Sequence, residues 1–161
     1  MKIIVLDGYT ENPGDLSWAP LEALGEVTVY DRTSYEDSPL IAERIGGAEI
    51  VVTNKTPISR ATLDKCPGIR MIAVLATGFN VVDIAYAKEK GIDFIICDHH
   101  VPDDVLPPAV AILNAKRLDN TYPYTHLSGC GVGFKFMQAF AISNGIEFHH
   151  LIPLLDLTAV S

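Results

Sequence analysis

The densest chemistry in the chain lies in Gly91-Ile92-Asp93-Phe94-Ile95-Ile96-Cys97-Asp98-His99-His100. A carboxylate followed by two imidazoles can hold one divalent metal ion weakly. Asp98 and His99 are the candidate metal ligands, with His100 a candidate ligand-binding neighbour. The plainer reading is a strand terminus with solvated histidines. The glycine and the apolar run after it predict a tight turn and a buried strand that delivers Asp-His-His to its carboxyl end. Open α/β sheets place their chemistry at that end.

Other clusters are weaker. Gly129-x-Gly131-x-Gly133-x-Lys135 suggests a phosphate cradle at a helix start, but it follows a loop and lacks Walker spacing, which favours a plain helix N-terminus. His149 and His150 are adjacent, so on a helix they point about 100° apart and cannot chelate as an i, i+4 pair would. Asp103 and Asp104 read as loop solubilisers. The backbone of Ala76-Thr77-Gly78 offers donors to a small anion.

The chain has 161 residues, enough for one domain with a sizeable core. Hydrophobic residues make up 48% and charged residues 20%, a folding composition. The net charge of −8, with no basic block, argues against nucleic acid and anionic membranes as partners. Cys66, Cys97 and Cys130 are odd in number and widely spaced, which predicts reduced thiols and a cytoplasmic protein. No run approaches the roughly 20 apolar residues of a membrane span, and Met1–Asp7 is too short for a signal peptide.

The elements that would position these residues follow from period and punctuation. Apolar, β-branched runs at 2–7, 26–31, 48–53, 70–75 and 93–97 predict five strands. Helices are expected over 19–24, 39–45, 59–65 and 81–90, opened by Ser17, Ser38 and Ser59 and stopped by glycine or Pro67-Gly68. Residues 9–17 and 101–108 read as loops, and 109–113 as a sixth, edge strand. Ser128 should cap a helix to about Asn144, with a last helix over 148–160. The alternation implies an α/β, three-layer, doubly wound, mostly parallel sheet of flavodoxin or Rossmann type, in the order 2-1-3-4-5, within a single domain spanning 1–161.

Two phrases, Thr53-Asn54-Lys55-Thr56-Pro57 and Val74-Leu75-Ala76-Thr77-Gly78-Phe79-Asn80-Val81-Val82-Asp83, carry a resemblance. Residues 1–92 resemble the N-terminal, substrate-binding lobe of the D-isomer-specific 2-hydroxyacid dehydrogenases. That resemblance implies that the backbone near Ala76–Gly78 helps hold a substrate carboxylate. Nothing in residues 93–161 matches that family's nucleotide-binding domain or its catalytic arginine, acid and histidine.

From about Gly91 onward, the phrases Ile95-Ile96-Cys97-Asp98-His99-His100, Leu106-Pro107-Pro108-Ala109-Val110-Ala111-Ile112-Leu113-Asn114, Tyr122-Pro123-Tyr124 and Leu127-Ser128-Gly129-Cys130-Gly131-Val132-Gly133-Phe134-Lys135 resemble the DHH phosphoesterases, in particular RecJ-type single-strand exonucleases. The resemblance implies that Asp-His-His helps hold manganese. It also implies an Asp-x-Asp at the first strand, where this chain has Asp7-Gly8, and an aspartate where it has Ala76-Thr77-Gly78. The expectation is a chimeric, de novo-like α/β domain without an intact catalytic function and without a required cofactor, with weak manganese or magnesium binding at most. The alternatives are a degenerate metal-binding phosphoesterase-like module and a fragment that binds a small anion or a partner. The large apolar residues of 134–155 make a homo-oligomer the expected assembly.

Overall fold

The β-branched runs become parallel strands: β1 (Lys2–Val5), β2 (Glu26–Val29), β3 (Ile50–Thr53) and β4 (Met71–Val74). They are seen in a computed structural model that describes residues 1–12, 14, 17–75 and 79–160. Their order is β2-β1-β3-β4, with Ile3 opposite both Val27 and Ile50, and Val5 opposite both Val29 and Val52. Ile3, Ile4, Val5 and Leu6 are at most 1% exposed, as an unbroken apolar run must be when helices cover both faces. Each such side chain contributes roughly 1.5–3 kcal/mol by leaving water.

The covering helices are α1 (Gly8–Glu11), α2 (Ala19–Glu22), α3 (Pro39–Ile45), α4 (Arg60–Lys65) and α5 (Ile84–Glu89). Their starts are set chemically. Ser38 Oγ accepts from Leu40 N–H, Ser59 Oγ from Thr62 N–H and Asp83 Oδ1 from Tyr86 N–H. Helices α3 and α4 bury Ile41, Ile45 and Leu63. Two local expectations change. Within 9–17, read as loop, residues as far as Glu11 belong to α1. Trp18 takes the cap position of α2, although Ser17 Oγ still accepts from Ala19 N–H at 3.1 Å.

The larger correction concerns the fifth strand. The order 2-1-3-4 holds, but beyond β4 the sheet gains, among the described residues, a single bridge, Met71 to Asp93. The next strand, β5 (Ile95–Cys97), pairs in parallel with β6 (Ala111–Leu113) as a separate two-stranded sheet. The chain divides into two compact units at that point, Met1–Phe94 and Ile95–Ser161. The side chains show why the expected buried strand does not form. Ile92 and Phe94 are each 5% exposed, whereas Ile95 is 48% exposed. A three-residue strand alternating in this way needs cover on one face only.

The second unit contains β5, β6, α6 (Gly129–Ser143), a 3₁₀ helix over Phe148–Leu154 and α7 (Leu155–Val160). The single helix expected over 148–160 is thus split. Pro153, which has no N–H to continue the ladder, lies in the 3₁₀ stretch. Phe134, Ala141 and Leu151 form a small core, with Phe148 edge-on to Phe134 at 6.3 Å between ring centres. Ser128 Oγ accepts from Gly131 N–H at 3.1 Å and fixes the start of α6. Ser128→Ala should therefore lower stability by about 1 kcal/mol. The check is a urea midpoint together with faster amide exchange at Gly131. Unchanged exchange there would count against the cap.

Candidate functional site

Parallel pairing of β5 with β6 brings residues 98 and 114, one step past each strand, to the same sheet end. Asp98 N–H donates to Leu113 O at 3.0 Å, continuing the ladder. The Asp98 carboxylate then turns back on its own motif. Oδ1 accepts from His99 N–H at 2.8 Å, from His100 N–H at 3.3 Å and faces His100 Nδ1 at 2.7 Å. Asn114 Nδ2 donates to Asp98 Oδ2 at 3.4 Å and to His100 O at 2.9 Å. Burial pushes the Asp98 carboxyl up, but the bonds from His100 and His99 outweigh it and hold the group below its ordinary value. The His99 and His100 rings lie 4.2 Å apart, and the His99 ring sits 3.7 Å from where a Cβ on Gly129 would be.

This arrangement does not fit a two-metal centre. Such a site needs several carboxylates free to bridge two cations, and Asp98 already accepts at both oxygens. Among the described residues, no three His, Cys, Asp or Glu side chains come together in a metal-binding group. Sequence reasoning missed Asn114. The available signal was its place directly after 109–113, had that run been paired with 95–97.

The first unit contains a second cluster that the sequence did not expose. Asp7 is 0% exposed, and its carboxylate accepts three backbone N–H groups: Asn54 to Oδ1 at 2.9 Å, and Lys55 and Thr56 to Oδ2 at 2.5 and 2.9 Å. Thr53 Oγ1 donates to Thr56 O at 2.8 Å, and Asn54 Nδ2 to Thr10 O at 3.1 Å. The turn after β3 is thereby clamped to the end of β1. Both Glu11 carboxyl oxygens are shielded from solvent and, among the described residues, find no hydrogen-bond donor. Burial, then the neighbouring Asp7, pushes the Glu11 pKa up to about 8, so it keeps its proton at neutral pH. The sequence signal was an acid closing an apolar run before Gly8, where a Cβ would lie 2.6 Å from Val29 Cγ1.

The remaining candidates are dispersed. Ala76, Thr77 and Gly78 lie outside the described residues. Gly129, Gly131 and Gly133 form the first turns of α6 and continue its helical ladder. His149 and His150 are exposed with tilted rings whose centres lie 3.9 Å apart, and His149 Nδ1 lies 2.9 Å from Glu147 Oε2. Asp103 and Asp104 are exposed in the loop before β6. Cys66 is buried, while Cys97 and Cys130 are exposed free thiols. No helix among the described residues is long and apolar enough to cross a membrane.

A parallel sheet ordered β2-β1-β3-β4 with helices packed on it defines a Rossmann-like α/β protein. The chain belongs to the D-isomer specific 2-hydroxyacid dehydrogenase family, whose catalytic-domain model matches residues 4–105. That match runs past the seam expected near residue 92. A hydroxypyruvate reductase of Blautia hydrogenotrophica is 64% identical over 92 residues, covering 57% of this chain and 29% of that protein. The single-stranded-DNA-specific exonuclease RecJ of Bacillus subtilis is 44% identical over 94 residues, covering 58% of this chain and 11% of RecJ. These shares together exceed the chain, so the two matches overlap. Among solved structures, the apo D-lactate dehydrogenase of Escherichia coli aligns with a TM-score of 0.48 at 26% identity, over 57% of this chain and 29% of that one. The chain thus joins a partial dehydrogenase domain to a RecJ-like fragment, and spans less than a third of either curated relative.

Proposed function

We propose that this chain is a hybrid α/β scaffold in which neither parental chemistry is intact, so that it catalyses neither hydride transfer nor phosphodiester hydrolysis. The observation that carries this reading is the internal use of its acids. Asp98 is closed on His99, His100 and Asn114, and Asp7 is consumed by the backbone of 54–56. Where the RecJ-type family would place an Asp-x-Asp, Gly8 follows Asp7 directly. The scaffold resides in the cytoplasm and works without nucleic acid or membrane, a reading supported by its charge of −8 and its free thiols. Its second unit self-associates through apolar side chains on the C-terminal helices, including Phe140, Ile142 and Ile152, which are 48%, 75% and 51% exposed.

The test assays NADH oxidation with hydroxypyruvate and release of labelled nucleotides from single-stranded DNA in millimolar manganese. Both rates should equal the blank. Turnover that survives repurification and disappears in His99→Ala would overturn the reading. A weak single-ion site is the second reading, favoured by Asp98 staying ionised beside two imidazoles. Manganese at millimolar concentration should then broaden the His99 and His100 ring resonances selectively. Uniform or absent broadening would exclude it.

A further inference from the structure

We propose that the cavity between β6, the 114–127 segment and the first turns of α6 binds a small oxyanion carrying a planar apolar body. This cavity measures about 380 Å³ and lies wholly within the second unit. That volume is in the lower part of the range for small-molecule sites, which are concave, mostly apolar and marked by a few fixed polar groups. Its apolar wall is supplied by Leu113, Leu127 and Val132, the last of these 3% exposed. Its polar wall holds two cations, Arg117 and Lys135, against the single carboxylate of Asp119.

The polar wall is pre-organised. Arg117 Nε and Nη2 grip both Asp119 oxygens at 2.9 and 2.5 Å, while Nη1 donates to Ile112 O at 2.8 Å. This fork-to-carboxylate grip fixes the guanidinium and offsets its charge. Asn120 Nδ2 donates to Ala115 O at 2.9 Å, and Asn114 Oδ1 accepts from Lys116 N–H at 2.8 Å. Residues 114–120 of the segment without sequence periodicity are therefore held by side-chain-to-backbone bonds as a fixed rim.

Lys135 supplies the unbalanced positive charge. Its ammonium donates to Gln138 Oε1 at 3.0 Å and stands 5.9 Å from the centre of the Tyr122 ring. An ammonium has three donors, and among the described residues Gln138 accepts from it as its hydrogen-bond partner, which leaves donor capacity for an incoming anion. Tyr122 is 38% exposed and presents a ring beside that charge. An anionic head on Lys135 and a flat body between Tyr122 and the aliphatic wall satisfy every feature at once. A neutral ligand would leave the charge unmatched, and a purely aliphatic one would forgo the ring.

The probes are 1-naphthoate and phenyl phosphate, with 1-naphthamide as the neutral control, titrated into the full-length 15N-labelled chain. Both anions should shift the Asn120 side-chain amide and Arg117 Nε resonances saturably. A probe of this size is expected to show a Kd of about 1 mM. A stronger response to phenyl phosphate would assign the head to phosphates, and a stronger response to naphthoate would assign it to carboxylates. Lys135→Met should weaken naphthoate about tenfold with naphthamide unchanged, and Lys135→Arg should restore it. Tyr122→Leu should weaken both aromatic probes. Equal binding of the neutral amide, indifference to Lys135→Met in a folded variant, or no saturable shift with either anion would overturn the proposal.

Discussion

Asp7→Ala should unfold the Met1–Phe94 unit under ordinary conditions. The substitution removes the fully buried carboxylate shared by three backbone donors, those of Asn54, Lys55 and Thr56. Each buried donor without a partner costs about 1–3 kcal/mol, and whole domains are stable by only about 5–15 kcal/mol. Asp7→Asn keeps a carbonyl acceptor but turns an NH₂ towards donors, so its loss should be smaller yet still severe. Trp18 is the chain's one tryptophan and packs against the Ile3, Val5 and Val52 cluster, which makes its fluorescence a reporter of this unit. A cooperative melt of Asp7→Ala within a few degrees of the parent would show that the clamp is dispensable.

Glu11 should make the same unit less stable as pH rises. In the folded state it holds its proton up to about 8, whereas a free glutamate releases it near 4.5. Between those values the folded state binds the extra proton, so stability declines with increasing pH and levels off above about 8. Full burial would convert this interval at about 1.4 kcal/mol per pH unit. Glu11 is only half-buried as a residue, so screening reduces the expected loss to about 2 kcal/mol. Glu11→Gln replaces the acid with a neutral side chain of the same shape. It should flatten the profile and exceed the parent in stability at pH 8 and above. Urea titrations followed by Trp18 fluorescence from pH 5 to 9 measure both effects. A parent profile with no downward slope would remove the protonated Glu11.

Local chemistry was the legible part of this fold. Ser38, Ser59 and Ser128 each cap the helix that their spacing predicts, and each parallel strand lies on a β-branched run. Pairing was less legible, because a run such as Ile95-Ile96-Cys97 states a preference for strand without naming its partner. The partner is decided by which faces other elements cover, and that information lies far away in sequence. The same limit hid the clamp. Asp7 alone reads as a strand end, and its meaning comes from three N–H groups 47 to 49 residues downstream. Asp-His-His was conspicuous by composition, yet Asn114, sixteen positions on, helps decide the direction of its carboxylate. Pro153 was visible too, but periodicity over 148–160 gave it too little weight against the helical ladder it lacks the N–H to join.

The position of β1 at the sheet centre also bears on how the chain meets its ribosome. β1 is synthesised before both of its partners, Glu26–Val29 and Ile50–Thr53, and Asp7 just beyond it receives its backbone donors from the turn at 54–56. Until that turn has left the exit tunnel, Ile3-Ile4-Val5-Leu6 is a nascent apolar strand with at least one open edge. Open apolar edges invite pairing with other chains, and parallel pairings of this span form late because loop closure must come first. Translational pausing before the turn at 54–56 has emerged would prolong that interval and favour aggregation, whereas pausing after its emergence would come when β1, β3 and their clamp can already be complete.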